Sequence, residues 1–224
     1  AVIAAHGQTA EQIVPVDTAI RQGVLPNGMT YYVRKAKSRK HIGEFRLIQR
    51  TGSLVEEETE LGMAHFLEHM MFKGTKHYPD NAIINFLRSI GVAFGPDVNA
   101  RTSFENTQYI LSAVPLTGES RIDSCLMILR DWSADAIMDQ NALDAERNVI
   151  VEEWRTRSVS DDAMKLFKEC YAGTQYAERL PIGSMDIINT CTAEQMRAFY
   201  KRWYQPQNQC IIACGDFNPD LMVR

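Results

Sequence analysis

The 224-residue sequence contains no run of 18 apolar residues, so no stretch of it reads as a membrane-spanning helix. Its five cysteines, Cys125, Cys170, Cys191, Cys210 and Cys214, are odd in number, scattered and free of any CxxC pair, which excludes a disulfide scaffold. The alternation in "CIIAC" at 210–214 puts Cys210 and Cys214 on one side of a strand, as small buried apolar residues rather than ligands. Charge of one sign is also scarce. A net charge of −4 and a pI near 5.8 leave no footprint for nucleic acid or an anionic membrane, and the largest basic cluster, "RKAKSRK" at 34–40, reads as a solvated loop. The acidic run "EEETE" at 56–60 reads as an exposed approach. There is no GxSxG elbow, no cysteine beside a histidine motif and no Gly-rich phosphate loop, and "FGPDVNA" and "GTKHYP" are turn chemistry. No repeat or low-complexity linker divides the chain.

What is present is an ordinary 45% apolar composition, enough for one sizeable core. "GVLPNGMTYYVRK" predicts a strand pair around a Pro-Asn-Gly turn, and "HIGEFRLIQRTGS" a further strand. A helix follows at 61–73, then one in "YPDNAIINFLRSIG", started by Pro79 and Asp80 and stopped at Gly91. Residues 97–114 read as one hairpin or two short strands, and helices are expected at about 119–136, at 140–159, in "SDDAMKLFKECYAG" and in "TAEQMRAFYKRWY", the last capped by Thr192. "NQCIIACGDF" supplies a final buried strand. The economical fold class is α+β, one domain with a mainly antiparallel sheet and segregated helices.

One segment stands apart. "HFLEHMMFKGT" at 65–75 places two imidazoles and a carboxylate in an otherwise apolar helix. At 3.6 residues per turn His65, Glu68, His69 and Phe72 share a face, with Phe66, Leu67, Met70 and Met71 around the other. Polar groups so placed need partners, because a buried neutral polar group without one costs roughly 2 to 7 kcal/mol. Imidazoles at i and i+4 can converge on one zinc ion, and Glu68 on the same face can act on water. The bland alternative is a pair of buried histidines bonded to backbone, with Glu68 in a local ion pair. His6, His41 and His77 stand alone in polar or loop contexts and read as surface residues.

A catalytic zinc needs a third protein ligand. In "DQNALDAERNVIVEEWR" Asp139, Glu146 and Glu153 recur every seven residues and share a helix face with Ala142, Leu143, Val149 and Ile150. Glu146 is the best candidate ligand, with Asp139 and Glu153 orienting the histidines. The structural alternative is that all three carboxylates are exposed and paired with Arg147, Arg155 or Arg157.

"HFLEH" is an HxxEH sequence, the inverse of HExxH. With "LPNGMTYYV", "GMAHFLEHMMFKGT", "GPDVNARTSFENTQYIL", "ALDAERNVIVEEW" and the closing "LPIGSMDIINTCTAEQMRAFYKRWYQPQNQCIIACGDFNPD", the chain resembles the pitrilysin and insulinase family of zinc metallopeptidases, which includes the mitochondrial processing peptidases. The resemblance runs from residue 23 to 220, with 1–22 as an N-terminal extension and 221–224 as the start of a continuation. It implies one Zn2+ per chain on His65, His69 and Glu146, and Glu68 as the catalytic base of an endopeptidase. It implies a peptide or unfolded protein substrate added as a strand along Asn99, Ala100, Arg101 and Thr102. Arg101 departs from the aromatic residue common at its position, and Asp139 from a glutamate. Family members also use homologous partner domains, so the chain is expected to be the N-terminal part of a longer protease, weakly active or inactive alone. A scaffold subunit of the same fold is the competing class, and manganese or cobalt can occupy the same ligands. The start, "AVIAAHGQTA", looks like the end of a secretory signal, which suggests an exported protein, periplasmic or associated with the cell envelope.

Overall fold

A Pro26-Asn27-Gly28 turn, with Asn27 Oδ1 accepting from Met29 N at 3.1 Å, reverses the chain between strands β1 (Ile20–Val24) and β2 (Thr30–Lys35). In this computed structural model, which describes residues 15–117, 119–157 and 160–223, four more strands complete a six-stranded sheet. They are β3 (Ile42–Gln49), β4 (Val98–Thr102), β5 (Thr107–Pro115) and β6 (Gln209–Gly215), in the spatial order β1-β2-β6-β3-β5-β4. Every pairing is antiparallel except β2 with β6. The expected 97–114 hairpin is β4 and β5, in register from Val98 opposite Leu111 to Thr102 opposite Thr107, and β4 forms a free edge.

The helices are α1 (Met63–Met70), α2 (Ala82–Ser89), α3 (Glu119–Ala134), α4 (Gln140–Arg157), α5 (Asp161–Cys170), α6 (Met185–Thr190), α7 (Ala193–Trp203) and α8 (Pro219–Met222). Each expected helix is found. The start of α7 is fixed by a capping box in which Thr192 accepts from Gln195 N and the Gln195 side chain reaches back to Thr192 N. Among the described residues, no helix is long and apolar enough to cross a membrane.

One sheet face packs on helices. Alternation along β3 buries Phe45 and Leu47, which meet Tyr109, Leu111 and Ala213 from neighbouring strands. Against this face lie α1 and α3, with α4 and α7 packed on the far sides of α1. That location explains why α1 is apolar nearly all round: Phe66, Leu67, Met70 and Met71 are all fully buried. Trp132 of α3 fills the centre of the core and donates Nε1–H to Met71 O at 2.9 Å, satisfying a carbonyl just past the end of α1.

Several expectations change. Glu56, placed among exposed acids, is only 3% exposed. Cys210 and Cys214 do share one side of β6, but they are half-buried on the face away from the core, which Ala213 and Gly215 occupy. The sheet begins at Ile20 and α8 runs to Met222, on either side of the 23–220 limits. The segment read as a secretory signal, His6 within it, and the last two residues of the expected 140–159 helix lie outside the described residues.

Candidate metal centre

Helix α1 starts abruptly, and the cause is local. Gly62 sits at φ 96°, and a Cβ on Gly183 would lie 2.2 Å from the Gly62 Cα, so two glycines let the loop before α6 press against the helix start. No side chain of the Gly62 position can cap α1. Glu56 does so from six residues upstream: Oε2 accepts from Gly62 N at 2.9 Å and Oε1 from Ala64 N at 2.8 Å. Arg179 secures the same corner, donating Nε–H to Glu56 O at 2.8 Å.

Burial pushes the Glu56 carboxyl up to about 8, against the two backbone N–H groups that favour its ionised form. The proton is held more tightly folded than unfolded. Stability from this source is therefore fully present below about pH 4.5 and is lost as pH rises through 8, at about 1.4 kcal/mol per unit of difference at most. Glu56→Gln is expected to flatten this slope while lowering stability by about 1 kcal/mol at pH 5, because an amide replaces one of the two acceptors with a donor. Denaturant melts of both proteins at pH 5, 7 and 9 check this, and parallel profiles would contradict it.

With its start fixed, α1 presents His65, Glu68 and His69 toward α4 and β4. His65 and Glu68 are 7% and 8% exposed. The His65 and His69 rings lie edge to face with centroids 4.9 Å apart. Glu153 Oε2 lies 3.4 Å from His65 Nε2 and 3.4 Å from His69 Nε2, and these three atoms all fall within 4.8 Å of one another. In a tetrahedral shell with bonds of 2.0–2.1 Å, neighbouring ligand atoms stand about 3.3 Å apart. The donor set, two imidazole nitrogens and a carboxylate oxygen, is also what zinc takes in catalytic sites that keep a fourth position open. The residues present fit the ion.

The two carboxylates of α4 meet the rings at different nitrogens. Glu146, expected as the ligand, has Oε1 2.9 Å from His69 Nδ1, and its other oxygen lies 2.5 Å from Lys73 Nζ. Glu153, expected to orient, is the carboxylate at the Nε2 atoms. Asp139 does not join them. It is exposed at the head of α4, where Oδ1 accepts from Ala142 N at 2.9 Å as a helix cap. Arg147 does not pair with Glu146 either; its guanidinium binds Asp144 and the carbonyls of Ile188 and Cys191.

The surrounding charges set the state of the His69 ring. Burial disfavours a charged His69, but its bonds to Glu146 and Glu153 and the charge of Glu68 outweigh it and push the ring up to about 9. Against burial, His69 and Lys73 hold the Glu146 carboxyl below its usual range, and contacts with both histidines do the same for Glu153.

Sequence reasoning did not foresee what orients Glu68. Thr102 Oγ1 donates to Glu68 Oε2 at 2.5 Å, and Thr102 is steadied in turn by Thr107, which donates to Thr51 O at 2.9 Å. Only the sheet register brings Thr102 there. Along the same edge the Ala100 N–H is taken by Asn99 Oδ1 at 2.9 Å, not by β5. Asn99, Ala100, Arg101 and Thr102 line a cleft of about 910 Å3 with His65, Glu68, His69, Glu146 and Glu153, walled by Phe72, Phe94, Val149 and Ile182.

His77, expected alone, is not. Its Nδ1 is 2.8 Å from the fully buried Asp131, and Asp135 completes a second histidine-carboxylate group. Arg130 Nη1, 2.7 Å from Asp135 and 3.3 Å from Asp131, supplies the positive charge there.

The sequence profile of the insulinase peptidases, family M16, matches residues 31–181, and that of the family's inactive domain matches 190–224. The chain is 40% identical over 95% of its length to a probable zinc protease, PqqL, of Escherichia coli, and 36% identical over 88% to a PQQL-like zinc protease of Arabidopsis thaliana. It spans only 23% and 21% of those two proteins. Among solved structures it superposes on the first half of the E. coli periplasmic protease PqqL with a TM-score of 0.88 at 40% identity, covering 94% of this chain and 45% of that one. A mutant of the ferredoxin protease FusC in complex with Arabidopsis ferredoxin gives 0.83 at 31% identity, covering 92% and 23%.

Proposed function

The chain belongs to the M16 insulinase family of peptidases, and on that premise we propose that it is the metal-bearing domain of a zinc-dependent endopeptidase whose ligands are His65, His69 and Glu153. The observation that carries the reading is Glu153 Oε2 at 3.4 Å from both Nε2 atoms, with Glu68 beside them on the same helix face. When bound, zinc acidifies water toward about pH 7 and polarises the scissile carbonyl.

The chain's own residues do the rest. Glu68 takes the proton of the attacking water on the oxygen that Thr102 leaves free and returns it to the leaving amine. Thr102 holds the other oxygen, so the carboxylate does not have to be oriented during the reaction. Glu146 fixes the His69 ring and its tautomer, and Lys73 fixes Glu146. A peptide or unfolded protein segment lies along Asn99, Ala100, Arg101 and Thr102, displacing the Asn99 side chain from the Ala100 N–H to form its first backbone bond. The curated relatives are several times longer, which supports homologous domains across the cleft as partners. The periplasmic location in the name of one solved relative supports an exported protein.

Chelator-treated full-length protein, with its partner domains, is expected to cleave no unstructured peptide, and activity is expected to return as zinc reaches one equivalent per chain. Cleavage that persists after metal analysis shows no divalent ion would refute the reading.

A further inference from the structure

Resting on that proposed function, a narrower question is what the cleft asks of its substrate. Three cations line it besides the histidines: Arg46, Lys73 and Arg101. Two are already matched. Arg46 Nε donates to Glu44 Oε1 at 2.6 Å, and Lys73 Nζ lies 2.5 Å from Glu146 Oε2. Arg101 is exposed and has no hydrogen bond or ion pair to any described residue.

Its place in the fold gives that open charge a role. Arg101 stands on edge strand β4, between Ala100, whose N–H faces the free edge, and Thr102, which holds Glu68. Backbone groups of a strand alternate in direction, so the Arg101 N–H turns toward β5. A peptide added antiparallel along the edge would then face Arg101 with a residue in the closer, non-hydrogen-bonded type of pair, with Cα atoms about 4.5 Å apart. The two side chains would project from the same face of the sheet, and the proximity of Thr102 to Glu68 keeps that substrate residue near the scissile bond. We infer that Arg101 is a specificity-determining residue that selects an aspartate or glutamate at one substrate position close to the cleaved bond.

The test is a peptide series in which glutamate, alanine and lysine are scanned through the positions flanking one cleavage site. Zinc-loaded wild type is compared with Arg101→Glu and Arg101→Lys. An exposed ion pair gives up to about fivefold, and reversing it replaces attraction by repulsion, so the glutamate-to-lysine ratio of kcat/KM at one position is expected to change by roughly 2- to 25-fold. Arg101→Glu should invert the preference, and Arg101→Lys should keep its direction. Ratios identical in wild type and Arg101→Glu at every position overturn the inference and leave the peptidase reading standing. If the zinc-loaded protein, assayed at full length with its partner domains, cleaves none of the peptides, the peptidase reading fails. Fluorescence anisotropy with the same labelled peptides then decides the inference alone, and binding with no acidic preference that depends on residue 101 overturns it as well.

Discussion

Replacing Glu68 by Gln is expected to lower the rate of peptide hydrolysis by roughly 10²- to 10⁴-fold while zinc content stays near one per chain. The substitution is close to isosteric, and a glutamine oxygen can still accept from Thr102 Oγ1, which lies 2.5 Å from the carboxylate. Position is therefore kept and proton acceptance is lost. The loss should appear in kcat, because the carboxylate's role is played as the water proton moves and not when the peptide docks along β4. Zinc analysis is the control that separates this from a damaged site, since Glu68 is not among the atoms grouped around the Nε2 pair. Hydrolysis within a few-fold of wild type would remove Glu68 from the chemistry and leave the buried carboxylate without a role.

How far the sequence revealed this site depends on which relationships are local. The i, i+3, i+4 spacing of His65, Glu68 and His69 is set by helix geometry alone, and the structure keeps them on one face because Gly62 and Glu56 start α1 where the pattern needs it. Strands were legible from alternation, and α7 from its Thr192 cap. What was not legible was tertiary. "EEETE" reads as solvent-exposed by composition, yet its first residue is buried because a helix N-terminus, unseen in the local pattern, lies above it. Alternation placed Cys210 and Cys214 on one side of β6 without saying which side meets the helices. His77 looked isolated because its partner Asp131 is 54 residues away. The parallel pairing of β2 with β6 likewise joins opposite ends of the chain.

The two carboxylates of α4 are the sharpest case, and the variant pair that separates them has the second large expected effect. Seven residues are nearly two helical turns, so Glu146 and Glu153 share a face, and burial favours Glu146, at 6% exposed, over the less buried Glu153. The deeper group stands at Nδ1 of His69, while the shallower one stands at the Nε2 atoms, so depth and ring geometry favour different carboxylates. If Glu153 binds the ion, Glu153→Ala removes one of three protein ligands, and zinc should fall from near one per chain to a small fraction after dialysis against buffered nanomolar zinc, with hydrolysis lost in parallel. Glu146→Gln should behave differently. An amide oxygen can still accept from His69 Nδ1–H, so the ring stays in place, and the loss of charge opposite His69 and Lys73 should weaken zinc affinity by roughly 10- to 100-fold without emptying the site at saturating zinc. The decisive reading is the pair at one equivalent of zinc: activity restored in Glu146→Gln and absent in Glu153→Ala. The opposite pattern would return Glu146 to the metal and make Glu153 the group that steadies the rings from outside.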